Sequence, residues 1–360
     1  VRFFNVDLHI SVIADIKRIF TDLGHTVDDL CLSGHHWVMD RKQDHVAELS
    51  GEKWTQMVWN EKWDTFYDAH KNSLKKYDGF IVTYPPIFAR LYEKFDKPII
   101  VDMPIRYDYA VHGCPDRLGR WNEWLKKAVA GGQVKLVANN KYDQEYCRIL
   151  SGLKPVHIPS LCEYFPKRTK NPRNGFVLYE DGCSLKHLVP DIRDRKAGLP
   201  HGWKWNDIHR FRAVVHMPYQ VSTMSIFEQY TANVPMIFPA KKFLTDMYFS
   251  GKWPNVLSQV STNQLSRKKP VGTPIELADK NSLDPNRWDD RAVIDELWLE
   301  HADFYDIEWM PLILTFDTIE KLRDICKFMD YEKISACMAV NNRTRKERVY
   351  ASWTKLLGEL

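Results

Sequence analysis

Asp78-Gly79-Phe80-Ile81-Val82-Thr83-Tyr84-Pro85-Pro86, followed by Ile87 to Phe95 and then by Lys97-Pro98-Ile99-Ile100-Val101, is the passage that decides the fold. A β-favouring run leaves a turn and stops at two prolines, which cannot donate to a strand ladder. Apolar residues at helical spacing come next, and a second short apolar run leaves another turn. Strand, short helix and strand in direct succession imply a crossover between two parallel strands.

The same alternation extends outward from this passage. Upstream, Arg2 to Leu8 is an apolar β-type run. Val12, Ile13, Ile16, Ile19, Phe20 and Leu23 mark a helix that Gly24 closes, and Thr26 to Leu32 reads as another strand. Ser33 to Lys76 is polar, Trp-rich helix and loop. Downstream come a helix over Trp121 to Ala130 broken by Gly131-Gly132, a strand over Lys135 to Asn139, a helix over Tyr142 to Leu150 and a short strand at Val156 to Pro159. Such alternation predicts a mainly parallel α/β sheet. Ligands bind beyond the carboxyl ends of its strands, so Asp7, His9, Tyr84, Asp102, Asn139 and Asn140 are site candidates.

Phe165 to Asn174 is a basic, proline-containing linker. It divides the chain into a first domain over 1–165, a second over 166–340 and a closing segment over 341–360. In the second domain, strands are expected at Gly175 to Tyr179, Phe211 to Met217, Val234 to Pro239 and Pro311 to Phe316. Helices are expected at Ser225 to Ala232 and Thr318 to Met329, with a last helix from Arg343 to Leu357. Asp181 to Trp205 has no regular pattern, and residues 250–290 read as a surface excursion.

A length of 360 residues suits about two domains. With 44% hydrophobic and 27% charged residues the chain can build a core, which excludes global disorder. The 51 basic and 47 acidic residues leave a net charge of +4, too balanced for a duplex-binding protein, so no nucleic-acid partner is expected. No run approaches the roughly 20 apolar residues of a membrane span, and the opening Val1 to Val6 reads as a strand rather than a signal peptide. Seven scattered cysteines without a C-x-x-C argue against a disulfide framework and for a reducing, cytoplasmic setting.

Absences narrow the chemistry. There is no G-x-x-x-x-G-K-[ST], no G-x-G-x-x-G, no H-E-x-x-H and no G-x-S-x-G. Nor is there an Asp-x-Asp, the usual carboxylate pair for holding a divalent ion on a diphosphate. His35-His36, close after Cys31, reads as an ordinary strand-end loop, so no metal site is expected. Trp54, Trp59 and Trp63, together with Trp37, are either an acceptor-stacking surface or, by the spacing of the first three, a buried stripe on one helix. Arg343, Arg345, Lys346 and Arg348 read as a solvated helix face, and the sequon Asn342-Arg343-Thr344 carries little weight.

The segment richest in chemistry is His216-Met217-Pro218-Tyr219-Gln220-Val221-Ser222-Thr223-Met224-Ser225-Ile226-Phe227-Glu228-Gln229. A strand stops at a proline, a hydroxyl-rich turn follows, and a helix begins near Ser225. The dipole and backbone N–H groups at a helix start suit a phosphate. A carboxylate one turn in can accept ribose hydroxyls. The competing account is a capping box, Ser225-x-x-Glu228.

This segment, continued by Tyr230-Thr231-Ala232-Asn233-Val234-Pro235-Met236-Ile237-Phe238-Pro239, resembles the donor-site signature of the GT-B nucleotide-sugar-dependent glycosyltransferase superfamily. Val137 to Asp143 with Pro155 to Pro159 is similar to the end of that superfamily's first domain, and the Trp353-bearing helix is similar to its returning C-terminal helix. The resemblance implies two Rossmann-like domains facing across a cleft, the acceptor on the first and the nucleotide on the second. It implies transfer of a sugar from a nucleoside-diphosphate sugar to a hydroxyl of a glycan or glycoconjugate. The nucleotide sugar is a co-substrate, so no cofactor is implied.

On this basis Tyr219, Ser222, Thr223, Ser225 and Glu228 would bind the nucleotide sugar. Lys186 and Arg193 are candidate cations for its phosphates by charge alone, since they align with no motif of that superfamily. Gln220 and Val221 stand where many relatives carry a second Glu, which speaks against retention of configuration and for inversion. An inverting enzyme needs a base, and His9 and Asp7 occupy the place for it, with Asp102 as the fallback. Asp7 either orients His9 or is itself the base. Alternatively, both residues merely bond loop backbone, and Asp102 pairs with Arg106. Two other classes remain open: a sugar-nucleotide epimerase of the same architecture, and a non-catalytic glycan- or nucleotide-binding module.

Overall fold

The computed structural model describes residues 1–111, 114–165, 167–168, 173–178, 185, 189, 191–194, 198–253, 255–258, 291 and 293–360. Among these, the chain parts into two compact units. The first is Val1–Ser160 with Val349–Leu360, and the second takes the described residues from Leu161 to Arg348.

The first unit is a six-stranded parallel sheet. Its strands are β1 (Arg2–Asp7), β2 (Thr26–Cys31), β3 (Gly79–Val82), β4 (Ile99–Met103), β5 (Val134–Ala138) and β6 (Val156–His157), in the order β2-β1-β3-β4-β5-β6. Helices α1 (Ile10–Asp22), α2 (Lys53–Trp59), α3 (Trp63–Leu74), α4 (Pro115–Ala130) and α5 (Lys141–Ser151) connect them. Pro86–Phe95 winds as a 3-10 helix. The central strands β3 and β4 are apolar but for Asp102 near the end of β4, as suits strands covered on both faces. Phe80, Ile81, Val82, Ile99, Ile100 and Val101 are all buried.

The second unit repeats the plan with five parallel strands. These are β7 (Arg173–Leu178), β8 (Ile192–Asp194), β9 (Phe211–Val215), β10 (Met236–Pro239) and β11 (Leu314–Phe316), in the order β11-β10-β9-β7-β8. Its helices include α6 (Trp205–Ile208), α7 (Met224–Thr231), α8 (Lys241–Phe249), α9 (Ile319–Phe328) and most of α10 (Tyr331–Leu357). Both units are Rossmann-like α/β sheets. In each, the direction of winding reverses beside the first strand, between β1 and β3 and between β7 and β9. Ligands bind at such a switch point, outside the carboxyl ends of the strands.

Three expectations need correction. The last helix starts at Tyr331, twelve residues before Arg343. Its buried face runs Tyr331, Ile334, Met338, Asn342, Arg345, Val349, Trp353 and Leu356, a regular three-and-four spacing that two polar residues disguise.

Secondly, Arg345 is not on a solvated face. It is buried between the rings of Tyr230 and Trp309, each 4.7 Å away, and donates to Asn342 Oδ1 at 2.6 Å. Asn342 itself is buried and donates to the Tyr230 carbonyl at 2.8 Å, so the sequon is spent on helix packing. Thirdly, Trp59 and Trp63 lie on different helices, because the chain turns at Glu61 with φ 51°. Trp63 is buried and Trp59 exposed, so there is no single stripe.

The C-terminal end of α10 belongs to the first unit. Trp353 meets Phe20 edge-on at 5.2 Å, and Tyr350 Oη donates to Asp22 at 2.7 Å. Among the described residues no helix is long and apolar enough to cross a membrane. Most of the 250–290 excursion and the middle of the 166–174 linker lie outside the described residues, whereas the 181–205 stretch, which has no regular sequence pattern, supplies β8 and the first residue of α6.

Candidate functional site: two switch points

In the first unit, Asp7 closes β1 and His9 precedes α1, at the β1/β3 switch point. Asp7 is fully buried, and its Oδ1 accepts the backbone N–H of His9 at 2.9 Å. It therefore holds the loop at His9 rather than the imidazole ring. Its other oxygen makes no full hydrogen bond. Burial raises the Asp7 carboxyl to about 7, outweighing the help of the His9 backbone and Thr83.

His9 is half-buried. Its Nδ1 is enclosed without a partner. Burial, with a smaller push from His35, lowers its pKa to about 4. At neutral pH the imidazole is thus uncharged, with a lone pair to offer. Tyr84, just past β3, lies 5.9 Å from the His9 ring and 5.2 Å from Tyr109.

Asp102, on β4, is buried with Oδ1 unpartnered. Burial, then Asp15 and Asp7, pushes its pKa well above the usual carboxylate range. It does not pair with Arg106, which instead bonds Asp143 at 2.7 Å in the interior and lies 4.2 Å over the Tyr142 ring. The other strand-end candidates do structural work. Asn140 caps α5 by accepting the Asp143 N–H at 2.7 Å, and Asn139 donates to Ser160 at 3.2 Å. His36 Nδ1 pairs with the Ser33 carbonyl at 3.1 Å.

In the second unit, the segment 216–229 leaves the carboxyl end of β9 at the β7/β9 switch point and enters α7. Tyr219, Ser222, Thr223 and Ser225 are half-exposed. Thr223 is the cap residue of α7 but makes no side-chain cap, and its hydroxyl instead lies 2.9 Å from that of Ser225. The capping box is therefore absent: Ser225 sits inside the helix, and Glu228 bonds elsewhere. Glu228 is buried, and its Oε1 accepts a hydrogen bond from Tyr164 Oη at 2.8 Å.

Two residues that no motif singles out fix this junction. His216 Nε2 lies 2.8 Å from Gln229 Oε1, and the imidazole stacks on Phe238 at 4.6 Å, which ties the end of β9 to α7. Burial lowers the His216 pKa to about 4, so it stays neutral. Arg193 stands exposed on edge strand β8, with β7 between it and β9. Lys186 lies outside the described residues.

No protein-family model and no curated protein sequence matches the chain. Solved structures of similar trace exist. The glycosyltransferase SnogD from Streptomyces nogalater is 10% identical, with 99% of each chain covered and a TM-score of 0.46. The spinosyn forosaminyltransferase SpnP is 10% identical, with 99% of each chain covered and a TM-score of 0.45. The glycosyltransferase of kitacinnamycin is also 10% identical, with 98% of each chain covered and a TM-score of 0.44.

Proposed function

We propose that the protein transfers a sugar from a nucleoside-diphosphate sugar to a hydroxyl of a glycan or glycoconjugate, with inversion and without an essential metal ion. The observation that carries the reading is the pair of switch points with complementary chemistry. One offers a hydroxyl-lined helix start with a carboxylate one turn in, at Tyr219, Ser222, Thr223, Ser225 and Glu228. The other offers a neutral imidazole beside buried carboxyls, at His9, Asp7 and Asp102.

The diphosphate would lie at the start of α7, where the helix dipole favours negative charge. Glu228 would accept hydroxyls of the nucleotide's sugar. The His9 imidazole would take the proton of the acceptor hydroxyl as its oxygen attacks the anomeric carbon. The bond from that carbon to the diphosphate breaks, and the diphosphate leaves with the electron pair.

The experiment is a thermal-shift and calorimetric screen of nucleoside diphosphates, since a ligand of the native state stabilises it by mass action. Glu228→Ala is expected to weaken binding by about 1.5–3 kcal/mol, the range for hydrogen bonds to a charged group. Unchanged affinity in the folded variant removes Glu228 from the site. Turnover is expected to survive EDTA, because Asp-x-Asp is absent and, among the described residues, no three metal-ligating side chains converge. Loss restored by Mg²⁺ or Mn²⁺ would contradict metal independence. Isomerisation of donor without acceptor would favour an epimerase, and tight binding without turnover a binding module.

A further inference from the structure

Glu228 does not stand alone on α7. Tyr164 lies 64 residues earlier in the chain and donates its phenol hydroxyl to Glu228 Oε1 at 2.8 Å. The short stretch that carries it is strapped to the second unit at several points. Tyr164 packs on Phe165 at 4.2 Å, and Phe165 on Trp205 of α6 at 4.9 Å. Glu163 pairs with Lys346 of α10 at 2.5 Å. Lys167 Nζ donates to the Thr231 carbonyl at 3.0 Å, and the Arg168 N–H to the Ala232 carbonyl at 2.8 Å, both at the end of α7. The phenol is thus presented by a segment laced along the helix that carries its partner.

We infer that Tyr164 is a positioning residue for the nucleotide's sugar, acting through Glu228; this rests on the reading that Glu228 accepts hydroxyls of that sugar. A glutamate has three side-chain torsions, and freezing them costs affinity unless the protein has already done so. A carboxylate accepts at about four lone-pair sites. A phenol held at one of them fixes the plane and direction of the others without taking up the group's whole capacity. On this account Tyr164 sets the protein's preference for a nucleotide with sugar hydroxyls over one without them.

The test uses the full chain and titrates uridine, guanosine and adenosine diphosphates, each beside its 2′,3′-dideoxy counterpart. Tyr164→Phe removes only the hydroxyl, and its thermal unfolding checks that it is folded. It is expected to lose about three- to tenfold in affinity for the ribonucleotide, the worth of an ordinary hydrogen bond. Affinity for the dideoxy nucleotide should not change. In a Glu228→Ala background the same substitution should have no further effect.

An equal loss for both nucleotides would make Tyr164 merely structural and overturn the inference. Tighter ribonucleotide binding would also overturn it, by making Tyr164 a competitor for the carboxylate. If Glu228→Ala abolishes the ribose preference and Tyr164→Phe leaves it intact, the inference falls and the nucleotide reading stands. If Glu228→Ala changes nothing, or none of the three nucleotides binds, the reading falls and takes the inference with it.

Discussion

Replacing His9 by glutamine is expected to lower sugar transfer by roughly 10²–10⁴, the share a positioned general base contributes. Nucleotide affinity should hold, because the proposed nucleotide residues lie on the second sheet. We put His9 ahead of Asp7 for a geometric reason. His9 is only half-buried, whereas Asp7 is fully buried and spends Oδ1 on the His9 backbone N–H.

The pH profile separates the two candidates. The acid limb of kcat/KM reports the base in the free enzyme. With His9 as base it falls near the imidazole's lowered value of about 4, and with Asp7 near that carboxyl's raised value of about 7. A limb near 7 that disappears in Asp7→Asn, with His9→Gln left active, would transfer the role to Asp7. Near-full turnover in both variants would move it to Asp102 or point to retention of configuration.

Asp7→Asn is expected to make the protein more stable at alkaline pH. The folded-state pKa of Asp7 is about 7, above its ordinary value of 3.8. The raised value means that the native state holds the proton more tightly than the unfolded chain does. Asp7 therefore costs nothing while it is protonated in both states. Stability is lost as pH climbs from about 4 to about 7, and above that the native state carries a buried charge. A shift of about three units corresponds to about 4 kcal/mol at pH 8. An unpaired amide N–H in the asparagine returns about 1–3 kcal/mol of that.

The cleaner quantity is the change with pH. The stability difference between Asp7→Asn and the parent should widen by about 2–3 kcal/mol between pH 5 and pH 8. Urea denaturation at the two pH values measures it. A pH-independent difference would mean that Asp7 is solvated in the native protein and that its carboxyl is not raised. If Asp7 only holds the His9 loop, the variant also keeps most of its turnover, because an amide oxygen can accept the same N–H.

Much of the architecture was legible along the chain. The apolar runs that became β1, β3, β4, β5, β9 and β10 are bounded by Gly, Pro and Asp, and the helices α1, α5 and α7 announce themselves by spacing. These signals are local. A strand buried on both faces needs a short apolar run and a stop, and both stand next to each other in the sequence. Strand ends could then be named as candidates because parallel sheets place ligands there.

What tertiary structure alone decided is how those candidates are paired, since the partner of a buried polar group is chosen by folding and not by proximity along the chain. Ser225-x-x-Glu228 has the letters of a capping box, yet Glu228 is taken by Tyr164 at a separation of 64 residues. Arg106 is four residues from Asp102 and bonds Asp143 instead. Arg345 looks like part of a basic surface until the helix stripe carries it inward between Tyr230 and Trp309, 114 residues from Thr231, whose hydroxyl it meets at 3.3 Å. A charge can be buried only where donors, acceptors and aromatic faces converge on it, and that convergence exists only once the sheets and helices have packed.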